Sequence, residues 1–302
     1  MSLLTKEPVE AYSGNAAYES STPLLEVQNL SVVYPTPRGP FTAVDGFTLS
    51  VGRGERVAIV GESGSGKTNS CMAIAGFLEA EAQVEADRMQ FGEVDLLSRK
   101  KGILPVRIPG ISVVFQDAMT SLDPVWKIGS QMRSVIRNNE KVSRRGADAK
   151  AVEWLRKVGL HDIDRVLAAR PYELSGGMRQ RVMIALGLCA GPQLLIADEP
   201  TSALDATLSR ELMQLMVSLT AEFDTGMLVI SHDIALCQEF TDRIVVMNGG
   251  RVVEEARSQS IAQSAGHPYT RGLLACIPTL DSAFMNRLPT MSTFGRAQGV
   301  AS

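Results

Sequence analysis

The sequence has few cysteines, no excess of charge of either sign and no long uninterrupted hydrophobic run. Its four cysteines, Cys71, Cys189, Cys237 and Cys276, are far apart in a chain of 302 residues and form no CxxC or CxxxH spacing. This pattern disfavours a disulfide framework or a zinc site and fits a reducing compartment. With 30 Lys and Arg against 33 Asp and Glu, the net charge is −3. Nothing in this balance favours a nucleic-acid partner.

The longest apolar stretch, residues 182–197, is too short and too interrupted to span a bilayer. Gly187, Gly191, Pro192 and Gln193 break it. The N-terminal residues are polar and contain no apolar segment of the kind that secretory signals carry. Because 45% of the residues are hydrophobic and 21% are charged, the composition is that of a globular chain with a substantial core. We therefore expect a soluble cytoplasmic protein.

Short apolar strands alternate with helices along most of the chain. Strands are predicted at 24–34, 43–51, 56–60, 111–115, 194–198, 227–231 and 243–247, and helices at 71–78, within 130–159 and at 205–223. This alternation predicts an α/β fold with a largely parallel sheet covered by helices on both faces. Residues 1–22 are polar without periodicity and are predicted to be a mobile tail.

A complete GxxxxGKT motif follows the predicted strand at 56–60 and precedes a predicted helix. Its residues are Gly61, Glu62, Ser63, Gly64, Ser65, Gly66, Lys67 and Thr68. Glycines allow successive backbone N–H groups to surround phosphate oxygens, and the positive end of the following helix adds to the attraction. Lys67 is expected to contact the β- and γ-phosphates, and the Thr68 hydroxyl to bind Mg²⁺. The motif predicts a P-loop that binds a nucleoside triphosphate.

The apolar strand at 194–198 ends in two consecutive carboxylates. Asp198 is placed to hold Mg²⁺, directly or through water. Glu199, one residue further, is a candidate general base that polarises the attacking water. A solvated acidic turn is the alternative for this segment in isolation, but the P-loop upstream favours the catalytic interpretation.

The segment Leu174-Ser175-Gly176-Gly177-Met178-Arg179-Gln180-Arg181 precedes the carboxylate strand. Here the chain resembles the ATP-binding cassette (ABC) ATPases, whose signature is LSGGQ; the chain departs from it at Met178. Ser175, Gly176 and Gly177 have the features of a second phosphate cradle, with a hydroxyl, free amides and a helix N-terminus. The resemblance covers residues 24–265.

The resemblance also assigns roles to four further residues. It implies that Gln116 is the Q-loop glutamine that senses Mg²⁺ and the attacking water. It implies that His232 is the switch histidine at the γ-phosphate and that Tyr34 stacks on adenine. Asp205, in Ser202-Ala203-Leu204-Asp205, corresponds to the D-loop, although it would also cap the next helix.

The resemblance implies an ABC cassette of the P-loop NTPase class, with a RecA-like core, an N-terminal antiparallel β subdomain and a helical signature subdomain. The implied division is a tail at 1–22, an ATPase domain at 23–265 with its helical part at about 118–190, and an extension at 266–302. In this family ATP lies between the P-loop of one cassette and the LSGG segment of another.

Two segments resemble the oligopeptide, dipeptide and nickel importer ATPases within this family. They are residues 116–124, similar to an extended Q-loop, and residues 266–278, similar to a C-terminal HPYTxxLL…IP motif. The implied partners are a second cassette, identical or homologous, two membrane permease subunits and a periplasmic or extracellular binding protein, with the chain at the cytoplasmic face of the membrane. A soluble ABC ATPase of DNA repair or translation, and a P-loop kinase or GTPase, are the alternatives. The transported solute is left open.

Overall fold

The structure is a computed structural model that describes residues 22–98, 108–117 and 121–277. Its strands are β1 (Leu25–Tyr34), β2 (Phe41–Val51), β3 (Arg56–Val60), β4 (Gln83–Glu85), β5 (Arg88–Phe91), β6 (Val94–Asp95), β7 (Ile111–Val114), β8 (Leu194–Asp198), β9 (Gly226–Ser231), β10 (Arg243–Asn248) and β11 (Arg251–Arg257). The proposed N-terminal tail and the end of the C-terminal extension lie outside these residues, except for Thr22.

The helices are α1 (Lys67–Ala75), α2 (Ile128–Asn139), α3 (Arg144–Lys157), α4 (Ile163–Ala168), α5 (Gly176–Leu188), α6 (Ala206–Glu222), α7 (Ile234–Phe240), α8 (Ile261–Ser264) and α9 (Pro268–Ala275), with a 3₁₀ turn at Pro171–Glu173. The helix predicted at 71–78 begins four residues earlier, inside the P-loop motif. The region predicted as helical at 130–159 forms two helices, because the chain is extended at Glu140 and Ser143 accepts a hydrogen bond that begins a new helix.

The strands form two sheets. The larger has the order β11-β10-β3-β9-β8-β7, in which all neighbours are parallel except β10 and β11. The smaller is antiparallel, with the order β2-β1-β5-β6 and β4 paired to β1. The α/β fold with a largely parallel sheet is therefore confirmed. The prediction that the strand at 243–247 was the last one is wrong, since β11 follows it in a tight antiparallel pair.

Both faces of the larger sheet are buried, and alternate residues of each strand point to opposite faces. In β8, Leu194 and Ile196 join a core shared with α1 and the antiparallel sheet. Leu195 and Ala197 join a second core built with α2–α7. The helix that carries the P-loop and the helix that begins with the LSGG segment therefore pack on opposite faces of the sheet.

Candidate nucleotide site

Four predicted site segments meet at the carboxyl edge of the parallel strands. The P-loop follows β3, Asp198 and Glu199 end β8, His232 follows β9 and Gln116 follows β7. Because these strands are neighbours in the order β3-β9-β8-β7, their ends are adjacent in space. This edge is where ligands bind in open parallel sheets.

Two glycines of the P-loop are required by the backbone. Gly61 has φ +156°, and a Cβ added there would lie 2.2 Å from the carbonyl oxygen of Met247. Gly66 has φ +101°, and its Cβ would lie 2.7 Å from the carbonyl oxygen of Ala43. A side chain at either position would displace backbone, so the loop can follow this path only with glycine there.

Lys67 lies folded back inside the P-loop. Its ammonium group is buried and donates to the carbonyl oxygens of Gly61 and Glu62, each at 2.8 Å. Burial lowers the pKa of Lys67, and the nearby carboxylates of Glu199, Asp198 and Glu62 oppose this effect. The ammonium is therefore held by two neutral carbonyl oxygens, which a phosphate anion can replace.

The P-loop also presents unused donors. Among the described residues, the backbone N–H groups of Gly64, Gly66, Lys67 and Thr68 have no hydrogen-bond acceptor. A Cβ built on Gly64 would meet nothing within 4 Å, so the loop is open at this residue. A curve of free amides at the start of a helix is suited to bind phosphate oxygens.

The Thr68 side chain, at the start of α1, contacts Asp198 at the end of β8. The Thr68 hydroxyl donates to Asp198 Oδ1 at 3.1 Å. Burial raises the pKa of Asp198, partly offset by the Thr68 hydrogen bond and by Lys67, while Glu199 raises it further. A hydroxyl and a buried carboxylate are hard oxygen donors that suit Mg²⁺, and a divalent cation would compensate the buried charge. The residues present thus fit the predicted magnesium site.

Glu199 accepts a hydrogen bond from Gln116 Nε2 at 3.1 Å through its Oε2, and His232 Nδ1 lies 3.7 Å from that oxygen. The Glu199 backbone is left-handed, with φ +45°, and is held by its N–H, which donates to the Ile230 carbonyl oxygen. Strained backbone of this kind persists where surrounding structure enforces it and is common at functional sites. The three predicted catalytic side chains are thus brought together around one carboxylate oxygen.

Tyr34, the predicted adenine-stacking residue, stands at the end of β1 near the start of α1. Its hydroxyl donates to Asn69 Oδ1 at 2.8 Å. Burial raises the pKa of the Tyr34 hydroxyl, and the charge of Glu79 raises it further. Asn69, directly after the P-loop motif, therefore fixes the ring at one end of the site, a role that the motif did not indicate.

The LSGG segment does not join this cluster within the chain. Ser175 caps α5 by accepting a hydrogen bond from the Met178 N–H, and a Cβ on Gly176 or Gly177 would meet nothing within 4 Å. Met178 instead packs its side chain against the helical core. Among the described residues no hydrogen bond joins this segment to the P-loop; Gln180, its one link to the site, donates to the carbonyl oxygen of Pro200 at 3.5 Å.

Two other residues contact the site or its flanks, and the sequence assigned neither of them a role in it. The Tyr269 hydroxyl accepts a hydrogen bond from the Glu62 N–H of the P-loop at 2.8 Å. Glu254 on β11 holds the turn before Tyr269. The HPYT motif identified Tyr269 as notable, but only the tertiary structure shows that it contacts the P-loop.

Asp205, the residue of the predicted D-loop, caps α6 by accepting hydrogen bonds from the N–H groups of Thr207 and Leu208.

A family model and two related proteins give the same assignment for this chain. Residues 44–202 match the family described as ABC transporter. The chain is 40% identical over 260 residues to the oligopeptide transport ATP-binding protein AppD of Bacillus subtilis, covering 85% of this chain and 79% of AppD. It is also 40% identical over 256 residues to the dipeptide transport ATP-binding protein DppD of Haemophilus influenzae, covering 84% of this chain and 78% of DppD.

Two solved structures similar to this chain are described as proteins of the same kind. The chain is similar to cbiO1 from Clostridium perfringens, described as part of the ABC transporter complex cbiONQ, with a TM-score of 0.68 and 26% identity over 81% of this chain and 92% of cbiO1. It is also similar to the ATP-binding cassette MJ0796, solved as a dimer bound to ADP and Pi, with a TM-score of 0.64 and 28% identity over 78% of this chain and 98% of that chain.

Proposed function

The chain belongs to the ABC transporter ATP-binding family, and from this premise we propose that it powers an importer for peptides or a related small solute. It is an ATPase of this family and binds nucleotide. The observation that carries the proposal is the convergence of a P-loop, two carboxylates, Gln116 and His232 on one sheet edge. The peptide assignment is supported by the printed functions of AppD and DppD.

We assign the phosphate-binding role to the residues of the P-loop, Gly61 to Thr68. Lys67 exchanges its two carbonyl acceptors for the β- and γ-phosphates, and the free amides bind the remaining oxygens. Thr68, Asp198 and Gln116 are the residues that would hold Mg²⁺, which when bound neutralises phosphate charge. Tyr34 stacks on the adenine.

Glu199 acts as the general base in this proposal. Its Oε2 accepts the proton of the attacking water, while Gln116 and His232, the two groups next to that oxygen, orient the water and the γ-phosphate. Gln116 donates a hydrogen bond to this carboxylate and so helps to hold Glu199 in place. The Glu199 side chain is only 16% exposed, which limits competing solvent contacts.

A second cassette completes the site. Ser175 caps a 13-residue helix that begins with Gly176 and Gly177, and a Cβ on either glycine would meet nothing within 4 Å. This helix packs on the other face of the sheet from the P-loop helix. The donors of these three residues are suited to a phosphate that this chain's own P-loop does not hold. We therefore propose that they contact ATP bound to a second cassette, either another copy or a homologue. The solved MJ0796 dimer supports this arrangement.

The transport pathway belongs to other subunits in this proposal. Within the described residues, no helix is both long enough and apolar enough to cross a membrane. A groove of about 380 Å³ lies between β7 and α2, lined in part by Val113, Phe115 and Leu122, and Val125 and Trp126 are exposed beside it. We assign this groove to a permease segment at the cytoplasmic face. Residues 118–120 of the extended Q-loop lie outside the described residues. The binding protein is inferred from the peptide-importer relatives.

Removal of the P-loop lysine tests the nucleotide-binding proposal. Lys67→Ala should weaken ATP binding of the purified full chain at least tenfold, because a charge-assisted contact to two phosphates is lost. Lys141→Ala is the matched control, since Lys141 is exposed and lies between α2 and α3. Titration with a fluorescent ATP analogue measures both. Equal affinities in the two variants would remove Lys67 from the nucleotide site.

A further inference from the structure

The C-terminal HPYT segment, residues 267–270, returns to the P-loop. The Tyr269 hydroxyl accepts a hydrogen bond of 2.8 Å from the backbone N–H of Glu62, the second residue of the motif. Neither the ATPase chemistry nor the proposed partners use this contact. The contact therefore links the C-terminal extension to the nucleotide site, and the function proposed above gives it no role.

The turn before Tyr269 is built to aim this side chain. Glu254 on β11, which is 6% exposed, accepts hydrogen bonds from the N–H groups of Gly266 at 2.6 Å and His267 at 3.2 Å. His267 in turn caps α9, since its Nδ1 accepts from the Tyr269 N–H at 3.2 Å. Pro268 occupies the first helical position, where the absence of an N–H costs nothing. Together, these contacts fix the turn and the start of α9, and so the position from which Tyr269 extends.

The rest of α9 is anchored to the strands beside the P-loop. Leu273, Leu274 and Ile277 pack against a core formed by alternate residues of β3 and β10 together with α7. The P-loop follows β3, and α7 begins two residues after His232. The Tyr269 ring packs against the same core. The hydroxyl is therefore carried by a helix that packs against this core.

The peptide group between Gly61 and Glu62 is held from both sides. Its carbonyl oxygen accepts from the Lys67 ammonium at 2.8 Å, and its N–H donates to Tyr269 at 2.8 Å. The plane of this peptide determines where that oxygen points and thus where the Lys67 ammonium rests before phosphate arrives. Loss of the Tyr269 acceptor would leave the N–H without this partner and would remove one of the two hydrogen bonds that hold the peptide.

We propose that Tyr269 is a positioning residue for ATP binding, which preorganises the start of the P-loop and the Lys67 ammonium through the Gly61–Glu62 peptide. The proposal rests on the proposed function, because it requires the P-loop to be the nucleotide site. It gives the C-terminal extension a role in affinity for the phosphate end of the nucleotide. Preorganised donors bind more tightly because less order is lost on binding.

Tyr269→Phe removes the hydroxyl and keeps the packed ring. Thr270→Val is the matched control, because Thr270 Oγ1 is buried on the same helix and has no hydrogen-bond partner within the described residues. The full chain of each variant is titrated with a fluorescent ATP analogue, and Lys67→Ala is measured alongside. Hydrogen exchange of peptides covering residues 57–66 and the unfolding temperature without nucleotide are recorded for all of them.

We expect Tyr269→Phe to weaken nucleotide binding about two- to tenfold, the effect of one lost hydrogen bond, and to speed exchange in the P-loop peptide. Thr270→Val should match the unchanged chain in both. Unchanged affinity in Tyr269→Phe, with Lys67→Ala weakened, would overturn this inference alone. An affinity loss accompanied by a fall in unfolding temperature and faster exchange throughout the chain would also overturn it, because the role would then be structural. Unchanged affinity in Lys67→Ala would instead overturn the nucleotide site itself.

Discussion

Glu199 is the carboxylate whose loss should separate ATP binding from ATP hydrolysis. Glutamine at this position has the same shape and can adopt the same backbone, but it cannot take a proton from water. Its amide can still pair with Gln116, because that side chain can present its oxygen in place of its nitrogen. The cost to folding should therefore be about 1 kcal/mol or less, the net value of one hydrogen bond.

The expected loss of turnover is about 10²–10⁴-fold, the range that general base catalysis contributes. This corresponds to about 2.7–5.4 kcal/mol in the activation free energy, well above the expected folding effect. The change removes none of the hydrogen bonds made by Lys67 or by the Thr68–Asp198 pair, and it leaves the free amides of the P-loop in place. ATP affinity should consequently stay close to that of the unchanged chain.

Phosphate release under saturating ATP and direct nucleotide titration measure the two quantities separately. Glu211→Gln is the matched control. Glu211 lies on α6 with a side chain that is 57% exposed, and the partner that the structure gives it is Arg181 on α5, not a residue of the P-loop or of the Asp198–Glu199 pair. Turnover in Glu199→Gln within a factor of about three of this control would refute the assignment of Glu199 as general base. A parallel loss of ATP affinity would show that the residue binds rather than catalyses.

Changes at three further residues test the site and its framework. Tyr34→Ala should weaken ATP binding by about 1–3 kcal/mol in a nucleotide titration, whereas Tyr34→Phe, which loses only the hydrogen bond to Asn69, should change it little. Because burial raises the pKa of Asp198, the ionised form destabilises the fold as pH rises through that pKa. Asp198→Asn should therefore raise the metal-free unfolding temperature at pH 7, and the gain should shrink in acid. Burial acts to raise the pKa of Asp242, but hydrogen bonds and charge from Arg56 outweigh it and hold the pKa below its ordinary value. Asp242→Asn should then lower the unfolding temperature at pH 7, with a difference that vanishes as pH falls through the lowered pKa.

The sequence was informative where a motif and a strand end coincide. The P-loop, the two carboxylates after β8, Gln116 and His232 all follow buried apolar runs, and parallel strands bring such positions to one edge. The parallel sheet followed from the same alternation. These apolar runs do not show which side chains from distant parts of the chain contact a strand end. The hydrogen bond between Tyr34, at the end of β1, and Asn69 is an example.

Short and exposed elements escaped sequence analysis for a physical reason. β4, β5 and β6 have two to four residues each, too few to display a period. β11 carries four charged residues beside its two valines, because it is an edge strand of the larger sheet. The contact between Tyr269 and Glu62 depends on α9 packing beside β3, which no local pattern specifies. The division of the chain into subdomains stays a prediction.

In the proposed mechanism, ATP joins this chain's P-loop to the LSGG segment of a second cassette. The most direct measurement is the mass in solution of Glu199→Gln with ATP, by light scattering, alone and combined with Ser175→Ala. Ser143→Ala is the matched control, because Ser143 caps α3 as Ser175 caps α5 but lies away from the site. The account predicts a dimer with ATP and a monomer with ADP. It also predicts that Ser175→Ala, but not Ser143→Ala, abolishes the dimer. A monomer under every nucleotide condition, or a dimer that Ser175→Ala leaves intact, would contradict it.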